Sequence, residues 1–330
     1  MRKIIRNIFL FALASSGLYK ILRYRNRKSP VVLVYHDILS PDMEYTVGET
    51  SLSFQLFQKQ INYLAKHYTF ISINDFLDWK LNGHSLPSNS LLITFDDGHQ
   101  NIYSALQFLA MRGIKASIFV KTDALGIVSE NYFERLNNLM LNSLEEYFTH
   151  NGMLLSKNNE KFSSKFYNYF RQLNFKEQNN LILEMEKQST YADAVISEEK
   201  YRHLSEDTYN ELILMGHNLQ SHSVHHYILS SLTDKDSFQE INESKIFIEK
   251  RFNVDVIAFA YPFGDPKYDY GRREMDYVKK SGYQLAFSGE PVGGHFVKAD
   301  GDNFNIPRFG SVGFDFPYFK MLISGFRLKT

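Results

Sequence analysis

An α/β fold built on a parallel sheet is predicted by three observations in this chain. Short apolar runs of strand length alternate with segments of 3.6-residue periodicity, the pattern of successive βα units. One such run, Leu91-Leu92-Ile93-Thr94-Phe95, ends in Asp96-Asp97-Gly98 and so delivers two carboxylates to a sheet edge, where ligands sit in α/β folds. A second run, Val31-Val32-Leu33-Val34-Tyr35, ends in His36-Asp37 and brings further ionisable groups to a strand end.

The elements follow in chain order. Residues 1–28 form a basic and apolar segment, with Ile4 to Ala14 mostly apolar and Lys20, Arg23, Arg25, Arg27 and Lys28 behind them. The apolar stretch is short of the roughly 17–25 residues a spanning helix needs. It reads as an in-plane membrane anchor with its basic residues on anionic headgroups, a signal peptide or short signal anchor being the alternative. Phe54, Phe57, Ile61 and Leu64 form one helical stripe, and Ile102, Ala105, Leu106 and Leu109 form another directly after the aspartate pair. Asn74-Asp75 reads as a capped helix start, which gives Trp79 a packing role. Ala116–Val120 reads as a strand. From about 122 to 201 the chain turns polar, with helical periodicity and no chemical motif. This predicts a helical insertion at the rim of a single catalytic domain spanning 29–330. Thr233 caps a helix from Asp234 to Phe252, and 256–261, 284–288 and 305–309 read as strands. Phe314 to Ile323 is rich in exposed-looking aromatics that suit the same membrane surface as the N-terminus.

Composition narrows the function classes. Lysine plus arginine, 37, equals aspartate plus glutamate, 37, so no basic field points to nucleic acid. The absence of cysteine excludes disulfides and thiolate-ligated metal.

The aspartate pair calls for a cation. Two neighbouring carboxylates beside an apolar core resist ionising together unless a cation or hydrogen-bond donors offset their repulsion. A histidine cluster supplies complementary ligands: His222 and His226, four apart, share a face if the chain is helical there, with His225 as the rival second imidazole. One carboxylate and two imidazoles leave a coordination position open, as catalytic zinc sites require.

Thr94-Phe95-Asp96-Asp97-Gly98, His222-Ser223-Val224-His225-His226 and Phe259-Ala260-Tyr261-Pro262-Phe263-Gly264 together resemble, in order, three motifs of the polysaccharide deacetylases of carbohydrate esterase family 4, which share the NodB homology domain. The resemblance spans roughly residues 30–310. It implies a distorted (β/α) barrel of the NodB type and metal-dependent removal of acetyl groups from a glycan. Carried over by motif, Asp96 is the general base, Asp97, His222 and His226 are the metal ligands, and the ion is zinc, with cobalt or nickel as alternatives. The third motif contributes the oxyanion and substrate contacts, Tyr261, Pro262 and Phe263, with the Phe263 N–H as donor.

Two departures stand out. Ala260 takes the place where an arginine usually holds the base, and Arg308 takes the place of the usual late histidine acid. The early Tyr35-His36-Asp37 resembles the arrangement in the exopolysaccharide-deacetylating branch, in which the last-motif strand is permuted to the front of the domain. His36 is then the general acid, and Arg308 steadies Asp96 in place of the lost arginine. The implied protein is a membrane-associated N-deacetylase of a bacterial inner membrane or cell envelope, acting on amino sugars of an envelope glycan or exopolysaccharide. An O-acetyl esterase, a deacetylase of a lipid-linked sugar, and an inactive glycan-binding member are the rival readings.

Overall fold

The computed structural model describes residues 16–39, 51–130, 132–142, 147–150, 153–156, 166–190, 201–289, 296–310 and 316–326. Helix α1 (Leu18–Asn26) leads into β1 (Val31–Tyr35) and the short β2 (Asp37–Leu39), which pairs with β3 (Ser51–Ser53). Next come α2 (Phe54–His67), β4 (Thr69–Phe70), α3 (Ile73–Asn82), β5 (Ser90–Phe95), α4 (Tyr103–Ala110) and β6 (Ala116–Val120). The insertion contributes α5 (Tyr132–Asn142), β7 (Tyr147–His150), β8 (Met153–Ser156) and α6 (Phe175–Gln188). The barrel resumes with α7 (Glu206–Leu214), β9 (Asn218–Ser221), α8 (Asp234–Phe252), β10 (Ala258–Ala260), α9 (Arg272–Lys280), β11 (Leu285–Phe287), β12 (Phe309–Gly310) and α10 (Phe316–Ile323).

The main sheet runs β11-β10-β9-β6-β5-β1-β12, with β4 also on β5, and every pairing in it is parallel. All residues of β1, β5 and β6 are buried, as strands covered on both faces require. The sheet curls until one segment meets both of its ends. Phe309 and Gly310 pair with Leu33 and Val34 of β1, while Ile306 bridges Phe287 of β11. The result is a distorted (β/α) barrel. The expected strand over 305–309 is thus two short contacts, because Pro307 has no N–H to give to a ladder. The strands expected at 256–261 and 284–288 are shorter than their apolar runs, at Ala258–Ala260 and Leu285–Phe287.

Local chemistry fixes the helices. The Ser53 side chain caps α2 by accepting from the Leu56 N–H, and Thr233 caps α8 by accepting from that of Asp236. The cap of α3 is Ser72, two residues before the expected start, with Asp75 returning a bond to the Ser72 backbone. Trp79 lies half-buried on Phe76, ring centroids 5.5 Å apart, and packs against the core.

Two expectations change. The insertion is not purely helical, since β7 and β8 form an antiparallel hairpin in which His150 faces Met153. Asn151-Gly152 between them is a strong two-residue turn signal that helical periodicity obscured. The C-terminal aromatics are not a surface patch: Tyr318, Phe319, Met321, Leu322 and Ile323 of α10 are buried. Leu18 and Tyr19 of α1 pack on Tyr318 and Met321, and the Asn26 side-chain amide donates to the Ser324 carbonyl. Residues 1–15, 314 and 315 lie outside the described residues.

Phe57 is the keystone of the packing between α2 and the sheet. It is fully buried, edge-on to Tyr35 at 5.0 Å and beside Phe95 and Phe108 at 6.1 Å. Phe57→Ala should cost about 3–5 kcal/mol, read as a lower urea midpoint at constant slope. A loss below about 1 kcal/mol would mean that the surrounding aromatics collapse into the space.

Candidate metal-binding and catalytic site

The strand that carries the aspartates also sends them apart. The Asp96 N–H donates to the Tyr35 carbonyl at 3.0 Å, which prolongs the pairing of β5 with β1, and the Gly98 N–H then donates to the Asp96 carbonyl at 2.9 Å. Asp97 and Gly98 both turn left-handed, with φ of 70° and 78°. A Cβ on Gly98 would stand 2.1 Å from the Tyr209 hydroxyl, so glycine is needed there for space as well as for φ.

Asp96 faces a guanidinium. Arg308 Nη1 and Nη2 donate to its two carboxylate oxygens at 2.8 and 2.7 Å, and Arg308 Nε donates to the Ser288 carbonyl at 2.9 Å. Both side chains are 2% exposed. Burial works against the Asp96 carboxylate, but Arg308 and His222 more than offset it and hold its pKa below the ordinary value. His36, at the end of β1 and 27% exposed, places Nε2 3.9 Å from Asp96 Oδ2.

Asp97 faces imidazoles. Its Oδ1 lies 3.5 Å from His222 Nε2 and 3.3 Å from His226 Nε2. The two histidines do not share a helix face. The His222 N–H donates to the Val120 carbonyl, which keeps His222 in register with the sheet, and the chain then turns at Ser223 and His226, with φ of 66° and 61°. The Ser223 hydroxyl accepts from the His226 N–H at 3.0 Å and closes this turn, leaving the two rings 4.8 Å apart. Glu240 of α8 secures the loop: it accepts from the Val224 and His225 N–H groups at 3.1 and 2.8 Å and holds His225 Nδ1 at 2.5 Å. His225, the rival ligand, is therefore engaged away from Asp97.

This donor set suits a divalent metal. One ligand atom from each of Asp97, His222 and His226 falls within 4.8 Å of the others. His222 Nδ1 lies 2.8 Å from the Ala260 carbonyl; a proton on Nδ1 makes that contact a hydrogen bond and leaves Nε2 as a lone pair aimed at Asp97. Asp97 Oδ1 is buried without a hydrogen-bond partner among the described residues, and a cation held by these three side chains would satisfy it. Burial disfavours the charged form of His222, but Asp96 and Asp97 raise its pKa above the ordinary value, while burial pushes His226 down to about 3.

The family model for polysaccharide deacetylase matches residues 83–286, more than half of the chain. The chain belongs to the polysaccharide deacetylase family. Among solved structures, the Streptococcus pyogenes deacetylase PplD in complex with acetate is similar, with a TM-score of 0.59 and 17% identity over 91% of this chain and 99% of that one. IcaB from Ammonifex degensii gives 0.58 and 15%, over 90% and 96%. These are likenesses of fold. A curated relative, YxkH of Bacillus subtilis, is 28% identical over 89 residues, and the match spans 27% of this chain and 30% of that protein.

In this family member the third motif is split between rim and core. Phe263, with φ of 60°, lies against the His226 ring at 4.8 Å. Pro262 is buried, and its carbonyl accepts from the Gly264 N–H at 2.6 Å. Tyr261 points into the core, stacked on Tyr270, with its hydroxyl donating to the Phe304 carbonyl, so its side chain does not face a substrate. The sequence reading missed the groups behind the site. Asp37 accepts from Asn101 at 2.8 Å and holds His99 Nδ1 at 2.9 Å, and His99 Nε2 lies 3.2 Å from Glu134 of the insertion. Their signal was adjacency: Asp37 follows His36, and His99 follows Gly98. Glu240 was legible as an acid on the buried face of α8, next to Ile241.

The Arg308 pairing carries a pH signature. The folded pKa of Asp96 is depressed, so its contribution to stability is complete above the ordinary carboxylate pKa near ~4 and is lost as pH falls through the folded value. Arg308→Gln leaves the carboxylate buried without its partner. The variant should be less stable by about 3–5 kcal/mol at pH 7, with the deficit shrinking toward pH ~4 as the carboxyl protonates. Denaturant unfolding of metal-free protein across that range checks this, and a deficit constant with pH would count against it.

Proposed function

We propose that this chain is a metal-dependent hydrolase that removes N-acetyl groups from amino sugars of a cell-envelope or exopolysaccharide glycan. The observation that carries the reading is the division of the aspartate pair, with Asp97 facing two imidazole nitrogens and Asp96 held ionised by Arg308 alongside. PplD, similar in fold, was solved with acetate, the acid that such a reaction releases.

Asp97, His222 and His226 would hold the metal. When bound, that ion supplies Lewis acidity toward water and the acetyl carbonyl. Asp96 accepts the proton of the attacking water, and its low pKa keeps it available as a base at neutral pH. The new bond joins the water oxygen to the acetyl carbon, and the Phe263 N–H donates to the oxygen on which negative charge develops. The C–N bond then breaks. His36, on the other side of Asp96 Oδ2, gives a proton to the departing nitrogen, which leaves as an amine beside acetate. Arg308 is a positioning residue that does for Asp96 what an arginine at 260 would do, so Ala260 does not leave the base unheld. This supports a catalytic rather than a purely glycan-binding member.

Acetate release from N-acetylglucosamine oligosaccharides tests the reading. Zinc-loaded protein should turn over, a chelator should abolish turnover, and zinc or cobalt should restore it. Asp96→Asn should lower kcat at least about 10²-fold, and His36→Ala about 10²–10⁴-fold on amides but less on an O-acetyl ester, whose leaving group needs less help from an acid. Undiminished amide turnover by His36→Ala would remove His36 as the acid. Preference for O-acetyl substrates would favour the esterase.

We further place residues 1–28 at a membrane surface. Lys20, Arg25 and Lys28 are exposed on or beside α1, and Ile21 and Tyr24 are 67% exposed, a mixture that suits anionic headgroups. Among the described residues, no helix is long and apolar enough to cross a membrane. Full-length protein should co-sediment with phosphatidylglycerol vesicles and not with phosphatidylcholine vesicles. Arg25→Glu with Lys28→Glu should weaken this by about tenfold or more, and equal binding to both vesicle types would reject the electrostatic part of the reading.

A further inference from the structure

The insertion and the barrel rim enclose a cavity of about 190 Å³ next to the candidate metal ligands. Lys121 lines it from the end of β6, and His225 and Tyr227 line it from the loop that carries His226. Arg135 of α5 and Asn179 of α6 line it from the insertion. Lys121 is buried at the root of the cavity and close enough to His226 for its charge to act on that ring.

The lining selects a class of ligand. Its cations are already paired: Lys121 Nζ lies 3.4 Å from Asp123, His225 is held by Glu240 at 2.5 Å, and Arg135 grips both oxygens of Glu186 at 2.7 and 2.8 Å, while Glu130 adds a carboxylate that accepts from Asn138 at 3.1 Å. Phosphate or a uronic acid would find no uncompensated cation. A neutral polyol finds both donors and acceptors on fixed groups, since each pair holds its side chains in place. Tyr227 adds an aromatic wall, stacked on His225 at 5.2 Å and backed by Phe175 at 4.5 Å, as the C–H face of a sugar prefers. The volume accommodates one pyranose ring.

We propose that this cavity is a subsite for the sugar adjacent to the one being deacetylated, built jointly by the rim and the insertion. The inference rests on the glycan-deacetylase reading above and deepens it: the substrate is a chain of neutral sugars, registered on the site by a neighbouring residue. Asn179→Trp fills the cavity from the surface of α6, and Tyr227→Leu removes its aromatic wall.

The test compares the mono-, di- and tetrasaccharides of N-acetylglucosamine with zinc-loaded full-length protein, reading kcat/KM for acetate release and, in an Asp96→Asn background, calorimetric binding. The tetrasaccharide should exceed the monosaccharide by about tenfold or more in both measures, and each cavity variant should bring that ratio close to one while its thermal melt stays cooperative. A ratio near one in the unsubstituted protein, or an unchanged ratio in both folded variants, overturns the subsite. Failure of every sugar to release acetate would instead strike the deacetylase reading, and the binding ratio would still judge the cavity. Inorganic phosphate binding that Asn179→Trp abolishes would overturn the neutral-sugar assignment.

Discussion

The two hydrogen bonds between Arg308 and Asp96 are the constraint on which the rest of the site depends. A buried ion pair is weak evidence for stability by itself, since desolvating both charges costs about as much as their attraction returns. Its value here is placement. Arg308 belongs to the segment that meets β11 at Ile306 and β1 at Phe309, so the guanidinium reaches Asp96 only when the sheet has curled shut. The third donor, Nε on the Ser288 carbonyl, ties the same side chain to the chain just after β11. Closure of the barrel and the pairing of Asp96 with its guanidinium go together in this fold.

With Asp96 so engaged, its neighbour is left to the histidines. Of the six non-glycine residues with positive φ among the described residues, four are Asp97, Ser223, His226 and Phe263, one or two in each of three loops around the site. Such backbone persists where the surroundings over-determine it. The surroundings do so here through named bonds: Tyr209 fills the space beside Gly98, Ser223 and Glu240 close the histidine loop, and Gly264 fits so closely against Gly289 that a Cβ would stand 2.1 Å from its nitrogen. The strain sits where the chain must present Asp97 Oδ1 and two Nε2 atoms to one point.

What was legible in the sequence was what short-range pattern encodes. Short apolar runs marked β1, β5 and β6, a 3.6-period stripe marked α2, the Thr233 cap marked α8, and the order of the three motifs marked the residues that converge. Convergence itself was misread at the histidines, where spacing of four suggested a helix and a hydrogen-bonded turn does the work instead. Propensity carries no information on which element covers which, so the aromatics of α10 looked exposed although the barrel lies on one side of them and α1 on the other. The contact between Asp37 and His99 was invisible for a related reason. They are 62 residues apart in sequence, and only the register of β1 on β5 makes them partners.

The insertion shows how far the site extends beyond its motifs. Leu136, Phe148, Phe170, Leu181 and Met185 build a core separate from that of the barrel, and Ile228 from the histidine loop is part of it, with Tyr227 and Phe263 packed against it. Arg171 reaches from the insertion to Asp265 at 3.5 Å and Asp269 at 3.4 Å, just beyond the third motif, and Glu134 reaches His99 just beyond the first. Burial lifts the Asp269 carboxyl to about 7 even with Arg171 opposing, so this anchor is largely dry. The insertion is therefore held at one point beside each of the three motif loops. A lobe attached in that way packs against the loops that present the candidate metal ligands and Phe263, so its described elements belong to the architecture of the site rather than to its periphery.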